Sequence, residues 1–330
     1  MPDLLAVSFL GWAPEPQDGL GVIRRLEAGV GKKMSHSSAS LMACLGLSVS
    51  VCGAQTLSPK WEDLTSADFV KAIQKADGVC ILPMGSIEKF GPSAPLGTNL
   101  YLGRVIPLEA VKQEYALIYP DYYVAGTNDT STLPGTIHYS LNMQLQFLDE
   151  TTRDMARNGC RKIILANGHT GNVSLINIFM SNLASTPHDF AVYYIYSSGF
   201  PVTPNQIAQL PAAARPSKPG VDGHGGEERV AAMLAYYPEL IHLERAHDEP
   251  SFPGHGAEGT PLPAGAMAEL PTGYSGDAAG ATAARGQALV QFAVGNLVKF
   301  IRAVKADNTT LKVEKEFYER YEQPKNPTAK

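Results

Sequence analysis

Three polar loops of the sequence combine carboxylates and imidazoles with glycines, the residue types that hold metal ions or move protons. The first loop contains Glu88, the second His169, and the third Asp222, His224 and Glu227. Carboxylate oxygens and imidazole nitrogens are the usual ligands of catalytic zinc or manganese, and neighbouring glycines let backbone come close to a metal or a substrate. Singly, a loop glutamate is more often solvated and a histidine beside Asn and Gly is more often a turn residue. Together the loops predict one site.

The elements that must position these loops alternate between apolar strands and amphipathic helices. The predicted helices cover residues 61–76, 143–158 and 282–304, and the predicted strands cover residues 78–84 and 162–166. The third loop opens another helix. This order favours a three-layer α/β fold with a mainly parallel central sheet, in which active-site loops follow the carboxyl ends of strands. Residues 247–272, rich in Pro, Gly and Ala, are expected to form a long surface loop.

Composition narrows the functional class. The chain has 330 residues, of which 44% are hydrophobic and 18% charged, and its formal net charge is −5. This is enough apolar material for a folded core, so a disordered protein is excluded. Lysines and arginines are scattered, which gives no electrostatic footprint for nucleic acid or an acidic membrane. The expected partner is a small molecule or another protein chain.

The first 54 residues resemble a secretory signal. Basic residues precede Met34, the mostly apolar run 41–51 follows, and small residues come before Gln55. The run is too short to span a bilayer, so we expect a mature periplasmic or secreted chain that starts near Gln55 and has no membrane contact after signal removal. The alternative is a buried N-terminal helix or strand in a cytoplasmic protein. The sequence leaves open whether Met1 or Met34 is the true start.

The rest of the chain is predicted to form an α/β domain over residues 55–305 and a charged C-terminal tail over 306–330, the last residues of which are expected to be mobile. Signal removal would leave only Cys80 and Cys160 of the four cysteines. Both lie beside apolar runs, so we expect them to pack as small buried hydrophobic residues without a disulfide framework.

The order and spacing of the three loops resemble the creatininase family over nearly all of residues 60–305. The first loop matches the family pattern G-S-x-E-Q-H-G-P-H-L-P-L-x-T-D in part, the second matches N-G-H-G-G-N with one change, and the third matches D-x-H-A-G-E with one change. The matching segments are 85–88, 91–92, 95–96, 134–136, 167–172, 222–227 and 272–277. An ordered set of motifs is far more specific than any one of them.

The resemblance implies a binuclear metal centre in an amidohydrolase fold. Carried over to this sequence, the retained ligand candidates are Glu88, His169 and Glu227. The resemblance also implies a homo-oligomer, such as the hexamers common in the family.

Four positions depart from the family pattern. Phe90 stands at a histidine ligand and Asn99 at the aspartate that bridges both metals, Arg229 occupies a position that is often Glu, and Thr130 stands where many members have a loop histidine. Two divalent ions carry four positive charges, but the retained carboxylates supply only two negative ones. Because uncompensated buried charge is costly, a second metal is disfavoured.

Two functions remain open. The first is a hydrolase of a small cyclic or linear amide with one zinc or manganese ion on Glu88, His169 and Glu227, in which His224 moves the proton and Asp222 orients His224. The second is a metal-free relative that binds a ligand, or does metal-independent chemistry, in the same pocket. The residues expected to line that pocket are Phe90, Asn99, Asn167, Thr136 and His138. Because Phe90 adds an apolar wall, we expect a substrate other than creatinine.

Overall fold

The computed structural model describes residues 57–196, 200, 207–218, 222–252 and 270–324. The chain divides into two units, Met1–Gly53 and Ala54–Lys330. The first unit lies outside the described residues, so the signal prediction and the domain boundaries attached to it remain predictions.

A parallel sheet forms the centre of the second unit. Its strands are β1 (Val79–Met84), β2 (Leu117–Ile118), β3 (Lys162–Asn167) and β4 (Ala191–Ile195), in the order β2-β1-β3-β4. In the register of β1 and β3, Val79 is opposite Lys162 and Met84 is opposite Asn167. Every residue of these two strands is buried, as expected where helices cover both faces of a parallel sheet.

Seven helices surround the sheet in the described part of the chain. They are α1 (Ser66–Lys75), α2 (Thr98–Ala110), α3 (Leu141–Arg157), α4 (Asn172–Leu183), α5 (Glu227–Tyr236), α6 (Ala283–Ala306) and α7 (Thr310–Glu322). Five short 3-10 helices lie at Trp61–Asp63, Asn128–Thr130, Ala212–Ala214, Pro238–Leu240 and Leu243–Arg245. Side-chain caps fix the first residues of several helices. For example, the Thr282 hydroxyl at the start of α6 accepts from the backbone N–H of Arg285. Within the described residues, no helix is both long and apolar enough to cross a membrane.

The helices form one layer on each face of the sheet. Val79 and Ile81 of β1 pack into a core with residues of α2, α5 and α6. Cys80 and Leu82, on the other face, pack into a second core with α1, α3 and α4. This alternation follows from the two-residue period of a strand. The predicted three-layer α/β fold with a parallel central sheet is confirmed.

Element boundaries differ from the sequence predictions in three places. The predicted helix 61–76 is divided into a 3-10 turn and α1, and α2, which was not predicted, begins at Thr98. The charged tail contains α7, whose Tyr318 is buried. The central part of the predicted 247–272 loop, residues 253–269, and the end of the tail lie outside the described residues.

The two cysteines of the folded unit are joined. Cys80 and Cys160 form a disulfide with a Cα–Cα distance of 5.6 Å across 80 residues of sequence. Both are buried, as predicted, but the expectation of unpaired thiols was wrong. The Gly78 carbonyl accepts from the backbone N–H groups of Arg161 and Lys162, which places the start of β3 beside β1 and brings the two sulfurs together.

Candidate functional site

A cavity of about 910 Å³ opens at the carboxyl ends of the strands. Four helices begin at its wall. Asn99 lies in the first turn of α2, Thr170 precedes α4, Glu228 lies in the first turn of α5, and Arg285 lies in the first turn of α6. The lining residues that carry the argument below are Phe90, Asn99, His169, Asp222, His224, Glu228, Arg229 and Arg285. A parallel α/β sheet places its ligands at this edge.

The first and third polar loops meet through two glycines. Gly225 has φ +78° and Gly91 has φ +66°, a backbone conformation that residues with a side chain rarely adopt. A Cβ atom at Gly225 would lie 3.0 Å from the Gly91 backbone. This close approach holds the loop of Glu88 and Phe90 against the loop of His224.

Glu88 is buried and has four partners. Its Oε1 accepts from the Ser86 hydroxyl at 2.8 Å and from the Asn99 amide at 2.8 Å, and lies 3.0 Å from His169 Nδ1. Its Oε2 accepts from the Thr130 hydroxyl at 3.1 Å. Burial alone would raise the pKa of this carboxyl, but His169, the charge of His224 and the Ser86 hydroxyl lower it to about 2. Glu88 is therefore an anion satisfied by protein donors.

His169 lies between two acceptors. Its Nδ1 faces the Glu88 carboxylate, and its Nε2 lies 2.8 Å from the Gly126 carbonyl oxygen. Burial would lower the pKa of this imidazole, yet the Glu88 carboxylate raises it above its usual value. The Asn99 amide nitrogen also lies 3.3 Å from Nδ1, so both ring nitrogens are engaged by protein groups.

Glu227, the third predicted ligand, has different partners. Its carboxylate accepts from the Ser217 hydroxyl at 2.7 Å and lies 3.0 Å from Arg285 Nη1. Across the residues that the structure describes, no three His, Cys, Asp or Glu side chains are grouped so that they could hold a metal ion. The predicted set of Glu88, His169 and Glu227 is thus not assembled, because the Arg285 guanidinium already neutralises Glu227.

His224 is held by the first loop. Its Nε2 lies 2.8 Å from the Lys89 carbonyl oxygen, so this nitrogen carries hydrogen and donates it. The Phe90 ring packs against the imidazole with a centroid distance of 4.4 Å, and the backbone N–H of His224 donates to the Ser275 hydroxyl at 2.8 Å. In the neutral ring, Nδ1 is then the nitrogen that accepts a proton.

Asp222 does not orient His224, contrary to the sequence prediction. Its carboxylate accepts from the backbone N–H of Glu228 and so caps the start of α5. Its Oδ2 also lies 3.9 Å from Arg285 Nη2. Burial, followed by the nearby charge of Glu228, raises the pKa of Asp222 to about 7. A carboxyl with this pKa can take up or release a proton near neutral pH.

Three predicted pocket residues support the site from outside the cavity wall. The Asn167 side-chain oxygen accepts from the backbone N–H of His169 at 3.1 Å. The Thr136 hydroxyl accepts from the backbone N–H of Lys89 at 3.0 Å, and His138 lies beside a threonine hydroxyl in the same loop. Their backbone and loop contacts turn them away from the cavity, whereas Phe90 and Asn99 line it, as predicted.

The buried arginines of the cavity were largely missed from the sequence. Arg229 was noted only as a replacement for Glu; its guanidinium lies 4.3 Å above the Phe200 ring and its Nε is 3.6 Å from Glu228 Oε1. Arg285 belongs to no motif considered above. The sequence feature that could have indicated Arg285 is its position three residues after Thr282, the residue that caps α6.

A parallel sheet with a cavity at its carboxyl edge, lined by both apolar and ionisable side chains, is the usual place for a small-molecule site in an α/β protein. The sequence matches the creatininase family model, described as creatinine amidohydrolase, over residues 62–301. The chain belongs to the creatininase family, and its class at that level is a hydrolase of amides.

Individual relatives are distant. Creatinine amidohydrolase of Pseudomonas putida is 26% identical over 202 residues, which cover 57% of this chain and 75% of that protein. The 3-dehydro-scyllo-inosose hydrolase of Thermotoga maritima is 26% identical over 222 residues, covering 67% and 69%. A solved creatininase structure described as the Mn form has a TM-score of 0.64 at 23% identity, covering 76% of this chain and all of that one. The structural likeness shows the shared fold.

Proposed function

We propose that this protein hydrolyses the C–N bond of a small amide bound in the cavity, with His224 as the group that moves the proton. The observation that carries the proposal is the placement of His224: it lines the cavity and its Nε2 is engaged by the Lys89 carbonyl. Family membership supports an amide hydrolase as the class. The substrate is proposed to differ from creatinine, because Phe90 lines the cavity where the family resemblance places a histidine.

Family membership also supports a divalent metal, and one relative is described as a Mn form. The residues of this chain do not fit a bound divalent metal. Glu88 is saturated by four partners, both nitrogens of His169 face acceptors, and Glu227 is paired with Arg285. A cation would have to displace these contacts and would meet a guanidinium instead of a third free ligand. We therefore propose that the cavity works without a bound divalent metal, single or paired.

The residues in the cavity can still divide the work of hydrolysis. His224 Nδ1 can take a proton from water as the water oxygen bonds to the amide carbon, and can return it to the nitrogen when the C–N bond breaks. The partial positive charge of the helix N-termini at the cavity wall can stabilise the negative charge that develops on the carbonyl oxygen. Asp222, with its pKa near neutrality, can hold a second proton.

The test compares wild type with His224→Gln on a panel of small amides that includes creatinine, cyclic imides, amino acid amides and N-acetyl amino acids. Release of amine or ammonia is measured. We expect turnover of at least one member and a loss of about 100-fold or more in the variant, the usual contribution of a general base. His242→Gln is the matched control, since His242 is on the surface. A panel with no turnover, or full activity of His224→Gln, contradicts the proposal.

The second candidate function is binding without hydrolysis. The specific observation in its favour is that the retained ligand candidates, Glu88, His169 and Glu227, are committed to protein partners, so none of them is open to a metal that would activate water. Saturable binding of a panel member by calorimetry, with no product after prolonged incubation, would identify this case.

We propose a periplasmic or secreted location for the mature protein. The buried Cys80–Cys160 disulfide supports it, because such bonds persist mainly in oxidising compartments. We expect N-terminal sequencing of the protein from its own host to begin near Gln55. Met1 or Met34 at the N-terminus of the accumulated protein would contradict this. A homo-oligomer remains a prediction from the family, to be checked by light scattering.

A further inference from the structure

We propose that the cavity selects a ligand that carries a carboxylate, and that Arg229 and Arg285 bind this group. The inference concerns recognition and holds whether or not the bound molecule is hydrolysed. It starts from the position of the two arginines: each is the third residue of its helix, in α5 and α6 respectively.

The helix starts give the wall a positive potential. Four helices begin at the cavity, and each N-terminus carries a partial positive charge from its unpaired N–H groups. The partial charge of a helix N-terminus alone would bind an anion only weakly. Here two of the four also place a guanidinium in the wall, and a fixed fork of N–H donors is the usual partner of a carboxylate.

Burial strengthens the attraction. The side chains of Arg229 and Arg285 are 12% and 7% exposed, so a ligand would meet them with little intervening water. Arg285 Nη2 is 3.9 Å from Asp222, beyond hydrogen-bond distance. Although Arg285 Nη1 is 3.0 Å from Glu227, no acceptor among the described residues completes a hydrogen bond with it. Nη1 is shielded from the cavity, and Arg285 Nε donates to the Ala214 carbonyl at 3.3 Å, so Nη2 is the Arg285 donor left for a ligand.

The acidic residues of the wall do not cancel this charge. Among the described lining residues, three arginines, Arg215, Arg229 and Arg285, stand against two carboxyls, Asp222 and Glu228. Glu227 pairs with Arg285 but is not part of the lining, so a ligand would meet the arginine and not this carboxylate. The balance therefore favours an anion over a cation.

The other lining residues indicate the chemistry of the rest of the ligand. Phe90, Tyr196, Ile207 and Leu210 supply apolar surface in the same cavity. A molecule with a carboxylate at one end and an apolar body at the other fits both parts. N-acylated amino acids have this form and also contain an amide bond.

The test uses matched probes that differ only in charge. Five N-acetyl amino acids (those of glycine, alanine, leucine, phenylalanine and tyrosine) are compared with their neutral carboxamides by calorimetry and ligand-observed NMR on the full-length protein. We expect at least one acid to bind about tenfold more tightly than its carboxamide, the gain typical of a charge-assisted hydrogen bond. The difference should shrink as salt increases.

Two conservative variants locate the contact. Arg229→Lys and Arg285→Lys keep the charge, and hence the pairing with buried carboxylates, but lose the fork geometry. Each should weaken the acid about fivefold or more and leave the carboxamide unchanged. Arg302→Lys on the surface of α6 is the control.

The wild-type comparison stands even if a variant fails to fold. Acids that bind no more tightly than their carboxamides, or no measurable binding by any acid of the panel, overturn the proposal. Product formation is assayed separately, so failed turnover with intact acid selectivity contradicts only the proposed hydrolysis.

Discussion

At the scale of single residues, a few substitutions convert ligand positions into a hydrogen-bond network. Asn99 cannot bridge metals as a carboxylate would; its amide instead donates to Glu88 Oε1 at 2.8 Å and to the Ser86 hydroxyl at 3.2 Å. The result is a buried anion whose acceptors are occupied, so the cost of its desolvation is offset in part by these partners. In a site without these hydrogen bonds, the Glu88 carboxylate could bind a metal ion.

The raised pKa of Asp222 predicts how the stability of the protein changes with pH. Its pKa is raised from 3.8 to about 7 in the folded protein. Between these values the folded state binds more protons than the unfolded state, so stability falls as pH rises from about 4 to about 7. Asp222→Asn removes this titration. Urea unfolding should show wild type losing stability relative to the variant across this range. A constant difference between the two proteins would contradict the assigned burial of the charge.

The sequence predicted the position of part of this site correctly, but not the contacts that its residues make. Glu88 and His169 do lie together, because each follows a neighbouring strand, β1 or β3, and parallel neighbours end at the same edge. Glu227 could not be placed in the same way. Its partner Arg285 comes from a helix 58 residues later, and no local pattern specifies that contact.

At the scale of elements, apolar runs and helical periodicity identified β1, β3, α3 and α6, because these elements bury one face or both. The division of the first predicted helix and the helix in the tail were missed. Helix α7 is mostly charged, and its few apolar anchors give a weak periodic signal.

The disulfide was also missed, since the spacing of two cysteines does not reveal pairing. It closes a segment of 80 residues, which includes β1, α2 and α3. Replacing both Cys80 and Cys160 by Ala should lower the free energy of unfolding by about 2–5 kcal/mol. Urea unfolding checks this, with wild type under reducing conditions as a comparison that keeps both side chains. An unchanged midpoint in the double variant would show that the bond adds nothing to stability.

At the scale of the whole molecule, the chain has the α/β fold of the creatininase family, and its own side chains place positive charge in its cavity. Arg229 and Arg285 line the wall, and the two retained carboxylates, Glu88 and Glu227, are neutralised by His169 and Arg285. The central claim is that this arrangement needs no metal ion.

The most direct test is the metal content of the full-length protein. The protein is expressed with zinc and manganese added to the medium, purified without chelators, dialysed, and measured by plasma mass spectrometry against its concentration. We expect less than about 0.1 divalent ion per chain, because the described residues offer no open set of three ligands. A stoichiometric content of one zinc or manganese ion per chain, or more, would contradict this account.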